Sequence, residues 1–349
     1  MCIRDSRESV RPERLGHHWL RAGRPEQARP HLLRALIDTS VRQESHRVVG
    51  YAREIGLLAE GLSEEQLFEE KHAVTATAAC LHNMGRSDEA IAMFERLGEA
   101  AGAAGDEVQR LKCGVRIAAV RYFTDGATAI DRDLLARAAD ELPACFERGR
   151  AHYQLGVIHK YADELEEAER RLQAADRIFV EEGLADQHAS TLDQLASVAN
   201  RAGRLEEAER LYGEAAELCR QHGRRINAAV SDINRAQVAV ARGRIEEVPA
   251  RLMPSLDYLK LEGAQNLLGQ GQVVLARVHD ALGDREAAMT AVDDALAAAE
   301  TTRYLPALFP AHFEKAHLLV VCGDLDRAWA QLELAREFAR ESGRVDDLL

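Results

Sequence analysis

The sequence predicts an all-α fold, an alpha-alpha superhelix (solenoid) of stacked antiparallel helix hairpins, and three observations carry that expectation. Gly203, Gly243, Gly283 and Gly323 stand 40 residues apart. A second series, Gly183, Gly223, Gly263 and Gly343, keeps the same period half a step out of phase, with Arg303 in the missing place. Hydrophobic residues are 46% of the 349, while aromatics are only 5%. That balance suits packed Ala/Leu helices and not strands, which favour aromatic and β-branched side chains. Glycine enters the left-handed conformation without a side-chain penalty, so each series is expected to mark helix ends. Each unit then reads helix, tight turn, helix, looser turn. One such hairpin cannot bury its own apolar face, so neighbours must stack into a continuous core with local contacts.

Taken in order, the chain opens with MCIRDS, Met1 to Ser6, which has no helical pattern. These residues look like translated adapter sequence of the kind that begins metagenomic reading frames. Residues 1–8 are therefore expected to be a non-native or disordered start, and the chain a fragment. Residues 9–62 are expected to hold an N-terminal repeat around Gly23, RAGRPEQARPHLL, and an irregular helical linker. A continuous array of about seven units is expected over 63–349. Its turns fall at Gly85, Asp125, Asp163 and the four glycines of the first series. In the unit at Gly203, Leu195, Ala196, Val198 and Ala199 precede the turn, and Leu205, Ala208, Leu211, Tyr212, Ala215 and Leu218 follow at helical steps. Ala196 and Ala208 are small enough for two helices to approach closely, and Ala236, Ala276 and Ala316 repeat the first of these positions. Glu206 with Glu207, or Asp88 with Glu89, suits the positive end of a second helix. The closing VDDLL is too short for a capping helix, so exposed apolar surface and self-association are expected at that end.

At these residues the sequence resembles the tetratricopeptide repeat. The family pattern is matched by Leu195, Ala196, Gly203, Ala208, Tyr212 and Ala215; by Leu155, Gly156, Ala168, Leu172 and Ala175; and by Leu15, Gly16, Trp19, Ala28, Leu32 and Ala35. The unit is longer than the common form, the first-helix Trp and closing Pro are mostly absent, and Val248 with Ser255 departs from the pattern in the Gly243 unit. Repeats of this longer kind resemble those downstream of the ATPase core in STAND-type signalling ATPases. Others stand beside class III nucleotide cyclases, protein kinase domains or LuxR-type DNA-binding domains. The segment Leu15 to Leu36 is similar to the passage from such an ATPase and its winged helix into the repeats.

Composition and motifs narrow the chemistry. Lys plus Arg number 45 against 58 for Asp plus Glu, a net charge of −13. An acidic chain releases few counterions from a phosphate backbone, so this segment is not expected to bind nucleic acid. No apolar run approaches bilayer length and no signal-peptide core is present, so a cytoplasmic protein without a membrane role is expected. The six cysteines, Cys2, Cys80, Cys113, Cys145, Cys219 and Cys322, have no paired or metal-ligating spacing and read as small buried hydrophobes. The five lysines, Lys71, Lys112, Lys160, Lys260 and Lys315, lie in no Walker phosphate loop. His152 and His159 lie about 10 Å apart along a helix, too far to share a metal. His312 with His317, and His17 with His18, diverge around their helices. Asp131 and Asp133 begin a calcium-loop pattern that Leu135 and Ala136 break. Carboxylate pairs such as Glu166 with Glu167 recur at helix starts, which favours helix electrostatics over acid/base catalysis. No nucleophile motif occurs. No enzyme activity, cofactor or metal is therefore expected within the segment.

The resemblance implies a binding groove lined by first helices. Carried onto the matching positions, its face residues are His72, Thr75 and His82; Lys112 and Tyr122; Arg150, Tyr153 and Lys160; Asp193, Asn200 and Arg201; Gln237; Gln270 and Arg277; and His317. Arg150, Tyr153 and Lys160 form a basic and aromatic group suited to the carboxylate of an extended peptide. The expected function is a non-catalytic interaction or sensor scaffold for a peptide or partner domain, an ATPase domain of the same parent chain included. The alternative is the sensory part of an ATP-dependent signalling enzyme or LuxR-type regulator whose other domains lie outside this chain.

Overall fold

The computed structural model describes residues 11–42, 44–58, 62–124, 130–302 and 305–341. Within them the chain forms eighteen α-helices and no strand. The fold class expected from the two glycine series is the one observed. The opening MCIRDS with Cys2, the Asp125 turn, Arg303, Gly343 and VDDLL lie outside the described residues.

The chain divides into two compact units, Met1–Ile158 and His159–Leu349. The first contains α1 (Pro12–Arg21) and α2 (Pro25–Val41), which form a hairpin about Gly23, and α3 (Ser45–Glu54). The short α4 (Glu64–Glu69) follows, opened by a capping box between Ser63 and Gln66. A second hairpin pairs α5 (Lys71–Asn83) with α6 (Ser87–Ala103), and α7 (Glu107–Thr124) packs on α6 and on α8 (Arg132–Glu141). The helix α9 (Phe146–Tyr161) carries the chain from the first unit into the second. Gly16 is a close-approach glycine: a Cβ there would lie 2.5 Å from a Leu32 side-chain carbon, so a side chain on α1 at this point would force Leu32 of α2 to move.

In the second unit the period is regular. First helices α11 (Ala185–Arg201), α13 (Arg225–Ala241), α15 (Gln265–Ala281) and α17 (Leu305–Val321) alternate with second helices. These are α10 (Leu165–Glu181), α12 (Leu205–Gln221), α14 (Val248–Leu261), α16 (Arg285–Thr302) and α18 (Leu325–Glu341). At Gly203 the backbone takes φ 75°. The amide of Gly203 donates to Asn200 O and that of Arg204 to Ala199 O, the two hydrogen bonds of a Schellman helix end. Gly183, Gly223, Gly243, Gly263, Gly283 and Gly323 share the left-handed conformation. Asp163 holds the equivalent place with φ 62°, the single non-glycine at positive φ among the described residues. Gly56 and Gly105 end helices in the same way, although the sequence periods had not marked them.

Ala196, Ala208, Ala236, Ala276 and Ala316 are all buried where helices meet. The core is a chain of local clusters, such as Leu192, Ala196, Tyr212 and Ala215 with Val238 from the next hairpin. Large apolar side chains are exposed on the last two helices, including Val320, Leu325 and Trp329. No helix among the described residues is long and apolar enough to cross a membrane.

Candidate functional site

In the first unit, four of the expected face residues converge at α9. The Arg150 guanidinium lies 5.5 Å from the centre of the Tyr153 ring. Burial lowers the pKa of Arg150, and the Arg116 charge adds to the effect, while Tyr153 and Tyr122 oppose it. His82, whose Nδ1 is 3.2 Å from Ser87 Oγ, also has a lowered pKa, from burial first and then from Arg150. Arg116 itself is held by Glu147 at 2.6 Å. Gln154, 4% exposed, has neither its Oε1 nor its Nε2 hydrogen-bonded, and Arg150 Nε is likewise buried without a partner. Residues 150, 153 and 154 are neighbours on one helix face by their spacing. The local chemistry is thus a cation, aromatic rings and an amide whose hydrogen-bonding capacity is unspent. His72, Thr75 and Lys112 lie on α5 and α7 and join no described hydrogen bond in this cluster.

The second unit treats its expected residues differently. Lys160 is 6% exposed, donates to Gln194 Oε1 at 2.6 Å and stands 4.7 Å from the Tyr161 ring centre. Burial pushes its pKa down to about 8, with Asp193 opposing and Arg201 assisting. Asp193 accepts from Ser231 Oγ at 2.9 Å and from Asn234 Nδ2 at 3.5 Å, and burial raises its pKa. Arg201 pairs with Asp163 at 3.0 Å, Arg277 with the buried Glu314 at 2.8 Å, and His317 with Asp280 at 3.2 Å. Most of these contacts join residues 34 to 41 apart, one repeat along the chain. They are rungs between successive first helices. Asn200, Gln237 and Gln270 lie on α11, α13 and α15, with Gln237 exposed.

The group read from sequence as Arg150, Tyr153 and Lys160 is therefore not one cluster. Arg150 and Tyr153 act together in the first unit, whereas Lys160 belongs to the second and is tied to Gln194. The sequence reading also missed Gln154, Gln194, Ser231 and Asn234. Gln154, Gln194 and Asn234 recur at the 40-residue period, and that recurrence of carboxamides was the available signal. Among the described residues, no group of three His, Cys, Asp or Glu side chains is placed to hold a metal ion.

Comparison with known proteins agrees with this architecture. Residues 188–222, α11 through the end of α12, match the tetratricopeptide repeat family model. No curated protein matches the sequence. Among solved structures, the apo form of the quorum sensor NprR from B. thuringiensis superposes with a TM-score of 0.66 at 13% identity, covering 92% of each chain. A Rap protein complexed with competence and sporulation factor gives 0.58 at 15% identity, over 78% of this chain and 77% of that one. A Signal Transduction ATPase with Numerous Domains (STAND) protein with a tetratricopeptide repeat sensor, from Pyrococcus horikoshii, gives 0.59 at 15% identity. That match covers 90% of this chain but only 50% of the archaeal protein. At these identities the likeness is one of fold: this chain is a tetratricopeptide-like helical repeat array.

Proposed function

We propose that the chain is a non-catalytic interaction or sensor scaffold whose first-helix face takes an extended peptide segment bearing a carboxylate. The observation that carries this reading is the pair of unspent groups on α9, Arg150 Nε and the Gln154 amide, beside the rings of Tyr122 and Tyr153. A carboxylate answers the Arg150 guanidinium, and the neighbouring tyrosine rings pack against the rest of an extended segment. The partner is a protein or peptide, nucleic acid is not engaged, and the scaffold works in the cytoplasm. The solved Rap complex, whose fold is similar, holds a factor named for competence and sporulation and supports a binding role for this fold.

A second reading is favoured by the archaeal likeness: this array is the sensor of a larger ATP-dependent signalling protein or a LuxR-type regulator, and its partner is an ATPase domain of the same parent chain. Both readings place recognition on the same face. The test is fluorescence anisotropy with a library of labelled acidic, neutral and basic peptides, comparing the native chain with Arg150→Gln, Tyr153→Ala and Gln154→Ala. Acidic peptides are expected to bind best, and each substitution to weaken binding about tenfold, equivalent to about 1.4 kcal/mol. Equal binding by Arg150→Gln and the native chain would remove this site from consideration.

A further inference from the structure

The second unit has a cavity of about 270 Å³ on the side of its second helices, between α12, α13 and the start of α14. It exists because one helix starts late. The second helices after Gly203, Gly283 and Gly323 begin two residues on, at Leu205, Arg285 and Leu325, whereas α14 begins only at Val248, five after Gly243. Pro249 in its first turn suits such a late start, because a missing amide costs nothing there. The floor is apolar, formed by Ala236, Ala239, Val248 and Leu252.

The walls are cationic. Glu209 is 5% exposed and has four guanidiniums around it, Arg242 at 2.6 Å, Arg244 at 3.4 Å, Arg251 at 3.8 Å and Arg235 at 3.9 Å. Two further carboxylates share these arginines, Glu206 with Arg242 and Glu247 with Arg244 and Arg251. Asp232 is taken by Arg220 and Ser255. Four arginines thus face three carboxylates, and the one left over is Arg235. Its contact with Glu209 is too long for a hydrogen bond, and its Nε is buried without an acceptor. Its guanidinium lies over Gly213 in mid-α12, where a Cβ would stand 3.3 Å from Cζ. A glycine inside a helix is unfavourable, so this seat is kept at a cost in helix propensity.

We propose that this cavity binds a small organic oxyanion, a carboxylate or phosphate on a short apolar body, with Arg235 as the anchoring donor. A planar guanidinium with free donors recognises such groups by paired hydrogen bonds, and the alanine, valine and leucine floor takes the apolar part. The volume is just below the usual range for ligand pockets, which fits a small metabolite and not a peptide. The site lies apart from the α9 cluster and does not rest on the peptide-binding reading.

The test uses the full chain and isothermal titration with N-acetyl-leucine, phenyl phosphate and, as a neutral control, N-acetyl-leucinamide. Saturable binding of one acid near or below about 1 mM is expected, with the amide inactive, and the acid that binds decides between carboxylate and phosphate. Arg235→Gln removes the anchor. Gly213→Ala crowds it while favouring the helix, and so serves if the first variant fails to fold. Each is expected to weaken binding about tenfold, with the unliganded melting temperature nearly unchanged in Arg235→Gln and unchanged or raised in Gly213→Ala. No saturation by either acid, or equal affinity in the native chain and a folded variant, overturns the proposal.

Discussion

Two hairpins of the second unit, α11–α12 and α13–α14, share a period and differ in outcome. Both first helices have 17 residues, yet α12 has 17 and α14 only 14. Where α12 offers Ala208, Tyr212 and Ala215, α14 offers Val248, Leu252 and Ser255 at the same register. The regular hairpin fills its interior with a buried tyrosine and alanines. The interrupted one, with Pro249 and Pro254, buries Ser255 against Asp232 and leaves a cavity ringed by arginines. Departure from the repeat is thus where this array gains room for a ligand, while conformity gives it a closed core.

The largest effect expected from that contrast lies at two glutamates of equal register. Glu169 and Glu209 are 40 residues apart on successive second helices. Glu169, partly exposed, pairs with Arg204 at 2.6 Å; Glu209 is buried among four arginines. Replacing Glu209 by Ala leaves those cations facing one another, and a loss of about 2 kcal/mol is expected, discounted from the buried-pair range because the arginines are partly exposed. Glu169→Ala should cost less than about 0.5 kcal/mol. Urea denaturation of both variants checks the difference, and equal losses would show that the interrupted hairpin has no special electrostatics.

A second effect separates the two polar networks by pH. The cations of the cavity are all guanidiniums, whereas the network beside the regular hairpin holds an ammonium. Lys160, packed against the regular hairpin through Gln194, has a folded pKa of about 8 against an ordinary 10.5. Between these values the unfolded chain binds more protons than the folded one, so stability rises with pH from about 8 to about 10.5. Full linkage sets a ceiling of about 1.4 kcal/mol per pKa unit, and a rise of about 2 kcal/mol is expected after partial solvation is allowed for. Lys160→Met should be more stable at pH 7 and lose the rise. A pH-independent stability of the native chain across that window would place the ammonium in water.

Much of this fold was legible because one physical requirement, a left-handed residue at a helix end, recurs at a fixed step. The alanines at 196, 208, 236, 276 and 316 were legible for the same reason, since close helix approach repeats with the period. The late start of α14 is half visible: Val248 and Ser255 depart from the repeat, but a proline in the first turns of a helix, as at Pro249, is compatible with an early or a late start. Sites were harder. Whether Lys160 or Arg277 meets solvent or a partner one repeat away depends on rotamers and on helix spacing, which no local pattern encodes. Arg235 over Gly213 is a contact between side chain and backbone on different helices, and a lone mid-helix glycine gave no reason to expect it.

The smallest effect tests the turn that departs from glycine. Asp163 ends α9 at φ 62° with the same pair of backbone bonds found at Gly203, to Lys160 O and His159 O. A left-handed residue with a side chain costs about 1–2 kcal/mol relative to glycine, less for Asp, which tolerates that region. Asp163→Gly should therefore stabilise the chain by about 0.5–1 kcal/mol. The accompanying loss of the exposed Arg201 pair is worth little. The converse, Gly203→Asp, should destabilise by a similar amount at the regular turn. A destabilised Asp163→Gly in thermal melts would mean that the Arg201 pair fixes this turn more firmly than the backbone preference does, and that the period at Asp163 is held by charge where every other turn of the second unit among the described residues is held by glycine.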